Sequence, residues 1–210
     1  MGMTSSKGRE RNKRGEGAQL REEIVSAATA LLDGGTEQSV TLRAVAREAG
    51  ITAPSIYSHF ADRESILLAV AQRGFGELER ELRGAASGMG DPVERLRAVC
   101  ATYMDFAKRW PGRYRILFGG AWDAPQSVER VPSMAPDVEV LGMGAFGVLV
   151  EAVAGCAASG HSASTDPAAD AAALWVALHG FAQLRTAASR FPWPADLLRT
   201  ITDRLALLQD

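Results

Sequence analysis

Residues 41–60, TLRAVAREAGITAPSIYSHF, carry the most chemically suggestive spacing in the chain. Two short apolar-periodic segments meet across one glycine, which is the pattern of a helix-turn-helix. Leu42, Val45 and Ala46 of the first segment can pack on Ile51 and Ile56 of the second. That packing leaves Thr52, Ala53, Ser55, Tyr57 and His59 pointing outward. Short, hydrogen-bonding or aromatic side chains on one exposed helix suit a helix that lies in the major groove of DNA. Spacing alone also allows two core helices joined by a tight turn.

A second group of residues suits a small-molecule pocket. Tyr103, Trp122, Phe146, Trp175 and His179 combine apolar faces with a few polar tips, a mixture found in sites for small organic ligands. Met104 and Met143 could repack around varied shapes. Apart from Arg113 and Arg115, no cationic cluster lies in these segments. The expected ligand is therefore small, largely apolar, and uncharged or weakly charged.

Other signals point to no chemistry. Gly142-Met143-Gly144-Ala145-Phe146-Gly147 fits G-x-G-x-x-G, but a dinucleotide site needs a preceding strand and the flanks read as helix. Close helix packing on small residues is the plainer reading. His161 lies in a Ser/Gly-rich loop and reads as solvated. His179 is either a satisfied core histidine or a hydrogen bonder in the pocket. Cys100 and Cys156 are too few for a disulfide framework or a Cys-rich zinc module and read as buried small hydrophobes. No nucleophile elbow or metal-ligand spacing occurs, so no catalytic residue, metal or cofactor is expected.

The elements that must position these groups read as helices throughout. Leu20, Ile24, Ala27, Ala28 and Leu31 form an amphipathic stripe that ends at Gly34-Gly35. Thr41 caps the next helix, Thr52 the one after Gly50, and Asp62 a long one running to about Leu82. Pro92 and Pro111 each open a helix. Residues 119–136 hold three prolines and two glycines and read as a loop. Helical patterning resumes at Val138–Ala158, Pro167–Ser189 and Pro194–Leu208. No run of alternating β-branched residues persists, so the fold class is all-α, with about nine helices and no sheet. Val138–Ala158 is apolar but broken by Glu139 and Glu151, and reads as too interrupted for a membrane span. Without a secretory signal either, the expected location is the cytoplasm.

Charge bounds how DNA could be held. The chain of 210 residues carries a formal net charge of −2, with 47% apolar residues. Residues 1–63 hold nine cations and eight anions, so affinity must rest on a few placed contacts. Residues 1–17 form a polar basic arm, expected to be flexible and able to meet an anion.

At GITAPSIYSHFADRESIL the pattern becomes specific. The stretch from about Ala18 to Leu78 resembles the DNA-binding region of the tetracycline-repressor (TetR) family of bacterial regulators. The aliphatic first helix, Thr-Leu-Arg-x-Val-Ala, Gly-Ile, Tyr-x-His-Phe and Asp-Arg-Glu-x-Ile-Leu occur in order. The one departure is Arg63, where the family more often has lysine. Residues 103–107, 111–114, Leu174-Trp175 and His179-Gly180 are similar to the subgroup named for its Trp-His-Gly motif. The resemblance implies that Thr52, Ala53 and Ser55 read base edges. It implies phosphate contacts for Tyr57, His59 and Arg63, with Thr41 and Arg43 anchoring the flanking backbone. It also implies a DNA-binding domain at 18–78 and a ligand-sensing, dimerising domain at 79–210. The whole would be a repressor that binds a (pseudo)palindromic operator as a homodimer and is released by its effector. Two stripes, Leu174, Ala177, Leu178, Phe181 and Leu197, Ile201, Leu205, Leu208, are expected at the two-fold interface; the alternative is that both pack inside one chain. A helical enzyme or a protein-binding adaptor would share the composition but not the signature.

Overall fold

α1 (Glu16–Asp33), α2 (Leu42–Glu48) and α3 (Ala53–Ile56) start a chain in which local caps explain most helix boundaries. The structure, a computed structural model, describes residues 16–118 and 122–209; the expected basic arm lies outside them except for Glu16 and Gly17. Thr41 caps α2, its Oγ1 accepting the Ala44 N–H at 3.2 Å. Gly50 takes a left-handed φ of +65°. That turn lets the Ile51 N–H reach the Ala46 carbonyl at 2.9 Å and the Gly50 N–H reach Arg47 at 3.2 Å, which closes α2 with a Schellman motif. Asp62 opens α4 (Arg63–Ala86) with a reciprocal capping box shared with Ser65.

α5 (Pro92–Arg109), α6 (Pro111–Phe118), α9 (Met143–Ala158), α10 (Pro167–Ala187) and α11 (Leu197–Leu205) follow. Between α6 and α9 lie α7 (Ala124–Arg130) and α8 (Ala135–Glu139). The count among the described residues is thus eleven, against the nine expected. The segment read as a loop is partly helical because Pro125, Pro132 and Pro136 all sit in first turns, where a missing N–H costs nothing. The helix expected from Val138 begins at Met143, since Gly142 turns left-handed at φ +77°. No strand occurs among the described residues; one isolated bridge pairs Ser162 with Leu208.

Two cores share α4. Ile24, Val45, Ile56 and Ile66–Ala71 belong to the first; Leu78, Leu82, Phe106, Leu149 and Leu174 to the second. α6 lies on the seam, with Ile116 in the first core and Tyr114 and Leu117 in the second. By length and composition Pro132–Ala158 is apolar enough to cross a membrane, which corrects the expectation for this stretch. Here it is broken at Gly142, and Val148, Leu149, Ala152, Val153 and Cys156 of α9 are buried in the second core. Gly142 and Gly144 make tight packing: a Cβ at Gly142 would lie 2.8 Å from Phe75, and one at Gly144 would overlap the Glu79 carboxylate.

The two interface stripes turn inward instead. Leu174, Leu178 and Phe181 are buried, Ala177 and Leu197 are half-buried, and Ile201, Leu205 and Leu208 pack on the second core. α11 is tied to α5 by Arg97, which forks onto Asp203 at 3.0 and 2.8 Å. α10 is apolar around its whole circumference, so spacing gave no means of choosing its inner face. Leu205→Glu is accordingly expected to unfold the chain, since it sets a charge in the half-buried apolar seat that Leu205 takes against the second core, with loss of the helical circular dichroism signal as the readout.

Candidate nucleic-acid interface and ligand cavity

Tight turns at both ends present α3 outward. Ile56 is fully buried and anchors it, while the His59 and Phe60 N–H groups both bond the Ile56 carbonyl, at 2.8 and 2.9 Å. Tyr57 is left 60% exposed. Thr52 and Arg43 are exposed; Ala53, Ser55 and His59 are half-buried. The Thr52 and Ser55 hydroxyls bond each other at 2.8 Å, which fixes both rotamers on one surface. Thr41 serves as a cap, with its hydroxyl hydrogen still available. The surface here thus exposes Thr41, Arg43, Thr52 and Tyr57, with Ser55 and His59 half-buried and Ala53 packed partly on the first core.

Arg63 does not join that face. Its Nε donates to the Val40 carbonyl and its Nη2 to the Glu37 carbonyl, both at 2.8 Å, and Nη1 donates to Glu64 at 3.2 Å. The guanidinium fork straps the start of α4 to the chain entering α2. Lysine, with one ammonium, could not hold both carbonyls in this planar geometry.

A cavity of about 1010 Å³ opens beside the seam between the cores. Tyr103, Trp122, Phe146, Trp175 and His179 all line it, as does Met143. Met104 packs on the core and is not in its wall. Trp122 Nε1 donates to Glu64 Oε2 at 2.9 Å and to Ser127 Oγ at 2.8 Å, and Ser127 Oγ donates to the same carboxylate at 2.6 Å. Glu64 also meets Arg63. A hydrogen-bonded line therefore runs from a cavity wall to the carbonyls just before α2.

A second polar line includes the lining residues Tyr103 and His179. Tyr103 Oη meets Tyr114 Oη at 2.9 Å, Tyr114 Oη meets His179 Nδ1 at 2.7 Å, and His179 Nε2 meets Gln183 Nε2 at 2.7 Å. Burial lowers the His179 pKa, raises that of Tyr114 to about 12, and raises that of Tyr103 further still. Imidazole and phenols are all neutral. Burial likewise pushes the Cys100 thiol up to about 12 and raises Cys156, so neither is a ready nucleophile.

α6 joins the cavity to α1. Gly112 packs directly on the Leu32 carbonyl, leaving no room for a Cβ. Next to it, Arg113 bonds Asp33 at 2.8 and 2.5 Å and Glu77 at 2.8 Å. Sequence reading missed Glu64, Tyr114, Ser127 and Gln183 as site residues. Tyr114 and Glu64 stood in quoted motifs without a site role, and nothing in spacing marked Ser127 or Gln183.

Residues 24–70 match the family model described as "Bacterial regulatory proteins, tetR family". Residues 96–207 match "Tetracyclin repressor-like, C-terminal domain", a description that names no Trp-His-Gly subgroup. The HTH-type transcriptional activator FasR of Mycolicibacterium smegmatis is 30% identical over 95 residues, 45% of this chain and 43% of that protein. The HTH-type transcriptional regulator HbdR of Aromatoleum sp. is 34% identical over 76 residues, 36% of this chain and 33% of its own. The matched stretches thus span less than half of these curated relatives. A Rhodococcus sp. RHA1 protein of unknown function superposes with a TM-score of 0.71 at 25% identity, covering 90% of this chain and 96% of that one. The fatty acid degradation regulator FadR of Bacillus halodurans gives 0.67 at 14% identity over 95% and 97%, a likeness of fold.

Proposed function

The chain belongs to the TetR family of bacterial transcriptional regulators, and from that footing we propose a ligand-released repressor that binds a palindromic operator as a homodimer. The observation that carries this reading is the Trp122–Glu64–Arg63 line, because it links a ligand-sized cavity to the entrance of the helix-turn-helix. A ligand acts by preferring a conformer whose recognition helices are wrongly spaced for successive grooves. Among the described residues the cavity wall carries no lysine or arginine, which supports a largely apolar, uncharged effector. Operator DNA places the protein in the cytoplasm, with no membrane partner.

In this reading Thr52, Ala53 and Ser55 read bases, while Arg43, Thr41, Tyr57 and His59 hold phosphates. Arg63 is a positioning residue. The test is binding to a palindromic fragment from upstream of the gene across a salt series, with and without ligand. Arg43→Ala is expected to weaken all sequences alike and lower the salt slope by about one unit. Ser55→Ala should instead alter preference at one base pair, by up to ~1–3 kcal/mol. Salt-independent binding would overturn the phosphate contacts.

Trp122→Phe keeps an apolar ring in the wall but removes the N–H that Glu64 accepts. Ligand affinity is expected to stay within about twofold, while the ligand's effect on operator affinity falls severalfold, within the usual range of allosteric coupling of about 5–150-fold. Calorimetry and operator titration, run on the same samples, separate the two. Unchanged coupling would remove Trp122 from the path.

A further inference from the structure

The Tyr103–Tyr114–His179–Gln183 line has a direction. As its atoms are placed, the Gln183 amide N–H donates to His179 Nε2. A neutral imidazole that accepts at Nε2 must carry its proton on Nδ1. That proton goes to Tyr114 Oη, and the Tyr114 hydroxyl hydrogen is then free for Tyr103 Oη. Every proton is passed toward the cavity. The last one, on Tyr103, has no acceptor among the described residues, and Tyr103 lines the cavity.

The rest of the wall determines what that hydrogen can meet. Trp122 gives its N–H to Glu64 and Ser127. Among the described residues Asp123 is the one carboxylate in the wall, and neither Lys nor Arg stands there. Burial holds His179 neutral, so no cation offsets a buried anion, which would be costly. A neutral acceptor meets none of these penalties, and it takes the one hydrogen of the line that no described residue accepts.

Resting on the effector-cavity reading above, we infer that the ligand is an uncharged apolar molecule bearing a carbonyl group, whose oxygen accepts from the Tyr103 hydroxyl. Tyr114, His179 and Gln183 are positioning residues that keep this hydroxyl a donor. Phe146 and Trp175 flank the ligand's apolar body.

The test uses the full chain with Nile red, a neutral apolar dye, bound and then displaced by three matched competitors. These are 2-acetylnaphthalene, its acceptor-free near-isostere 2-isopropylnaphthalene, and the anion 2-naphthoate. The ketone is expected to displace dye at the lowest concentration and the anion at the highest. Tyr103→Phe should weaken the ketone about fivefold, the worth of one neutral hydrogen bond, and leave the hydrocarbon within twofold. Gln183→Leu, at an exposed site outside the wall, should weaken the ketone alone, which a merely structural role would not do. Equal displacement by all three, or naphthoate bound best, or a ketone affinity unmoved by Tyr103→Phe, would overturn the carbonyl assignment and leave the cavity reading standing. Failure of Nile red to bind would overturn the cavity reading and the inference with it.

Discussion

Gly112→Ala is expected to lower the melting temperature by several degrees and to weaken operator binding. The methyl group would enter the space held by the Leu32 carbonyl. A side chain can swing aside; a main-chain carbonyl in the last turn of α1, which accepts the Gly35 N–H at 3.4 Å, moves only if the backbone moves. Overpacking of this kind costs ~1–3 kcal/mol, and each kcal/mol is worth about 2–4 °C in a chain of this size. The alternative to unfolding is that α6 backs away from α1. That movement strains the two bonds from Arg113 to Asp33, so the DNA-reading half loses its register on the body. Gly147→Ala is the matched control. A Cβ there meets nothing within 4 Å, and its place inside α9 favours Ala over Gly by roughly 0.5–1 kcal/mol. Thermal melts of the two variants should therefore move in opposite directions. A Gly112→Ala protein that melts like the parent would contradict the α6–α1 contact.

What could be read from the sequence follows from how local each feature is. The helix-turn-helix was legible because its parts are neighbours: Thr41 caps its own helix, Gly50 turns it, and Asp62 and Ser65 close a box within one turn. α7 and α8 were missed because the prolines were counted as breakers; Asp123 before Ala124-Pro125 is in fact a cap followed by a first-turn proline. The cavity aromatics were found by type, but the bonds that give them meaning join distant residues. Trp122 reaches Glu64 across 58 positions and Arg63 reaches Glu37 across 26. No periodicity encodes such pairs. Arg63 shows the cost: a cation at a helix start reads as a phosphate ligand until two carbonyls are found to hold it.

The homodimer that the proposed function requires is expected to pair through α10. α10 has three sides. Leu174, Leu178 and Phe181 enter the core, and Trp175 and His179 line the cavity. The third side carries Ala169, Ala173, Val176, Gly180, Leu184 and Ala187, spaced four, three, four, four and three apart; Val176 also borders the cavity. Leu184 is 52% exposed and Val176 more so, and no charge interrupts the stripe. A helix apolar on every face is normally covered on every face, and a stripe of small residues lets two copies approach closely. Leu184→Glu, at a site remote from the cavity wall, should leave the fold and Nile red binding intact while it splits the dimer. A monomer engages one half-site at a time and forfeits an effective-concentration gain of about 10²–10⁴-fold, so operator affinity should fall by that order. Ala173→Glu, about three turns away on the same side, should do likewise. Sedimentation velocity reads the assembly and operator titration the affinity. If both variants sediment with the parent, the interface lies on another surface; if they unfold, as Leu205→Glu is expected to, this side of α10 belongs to the core.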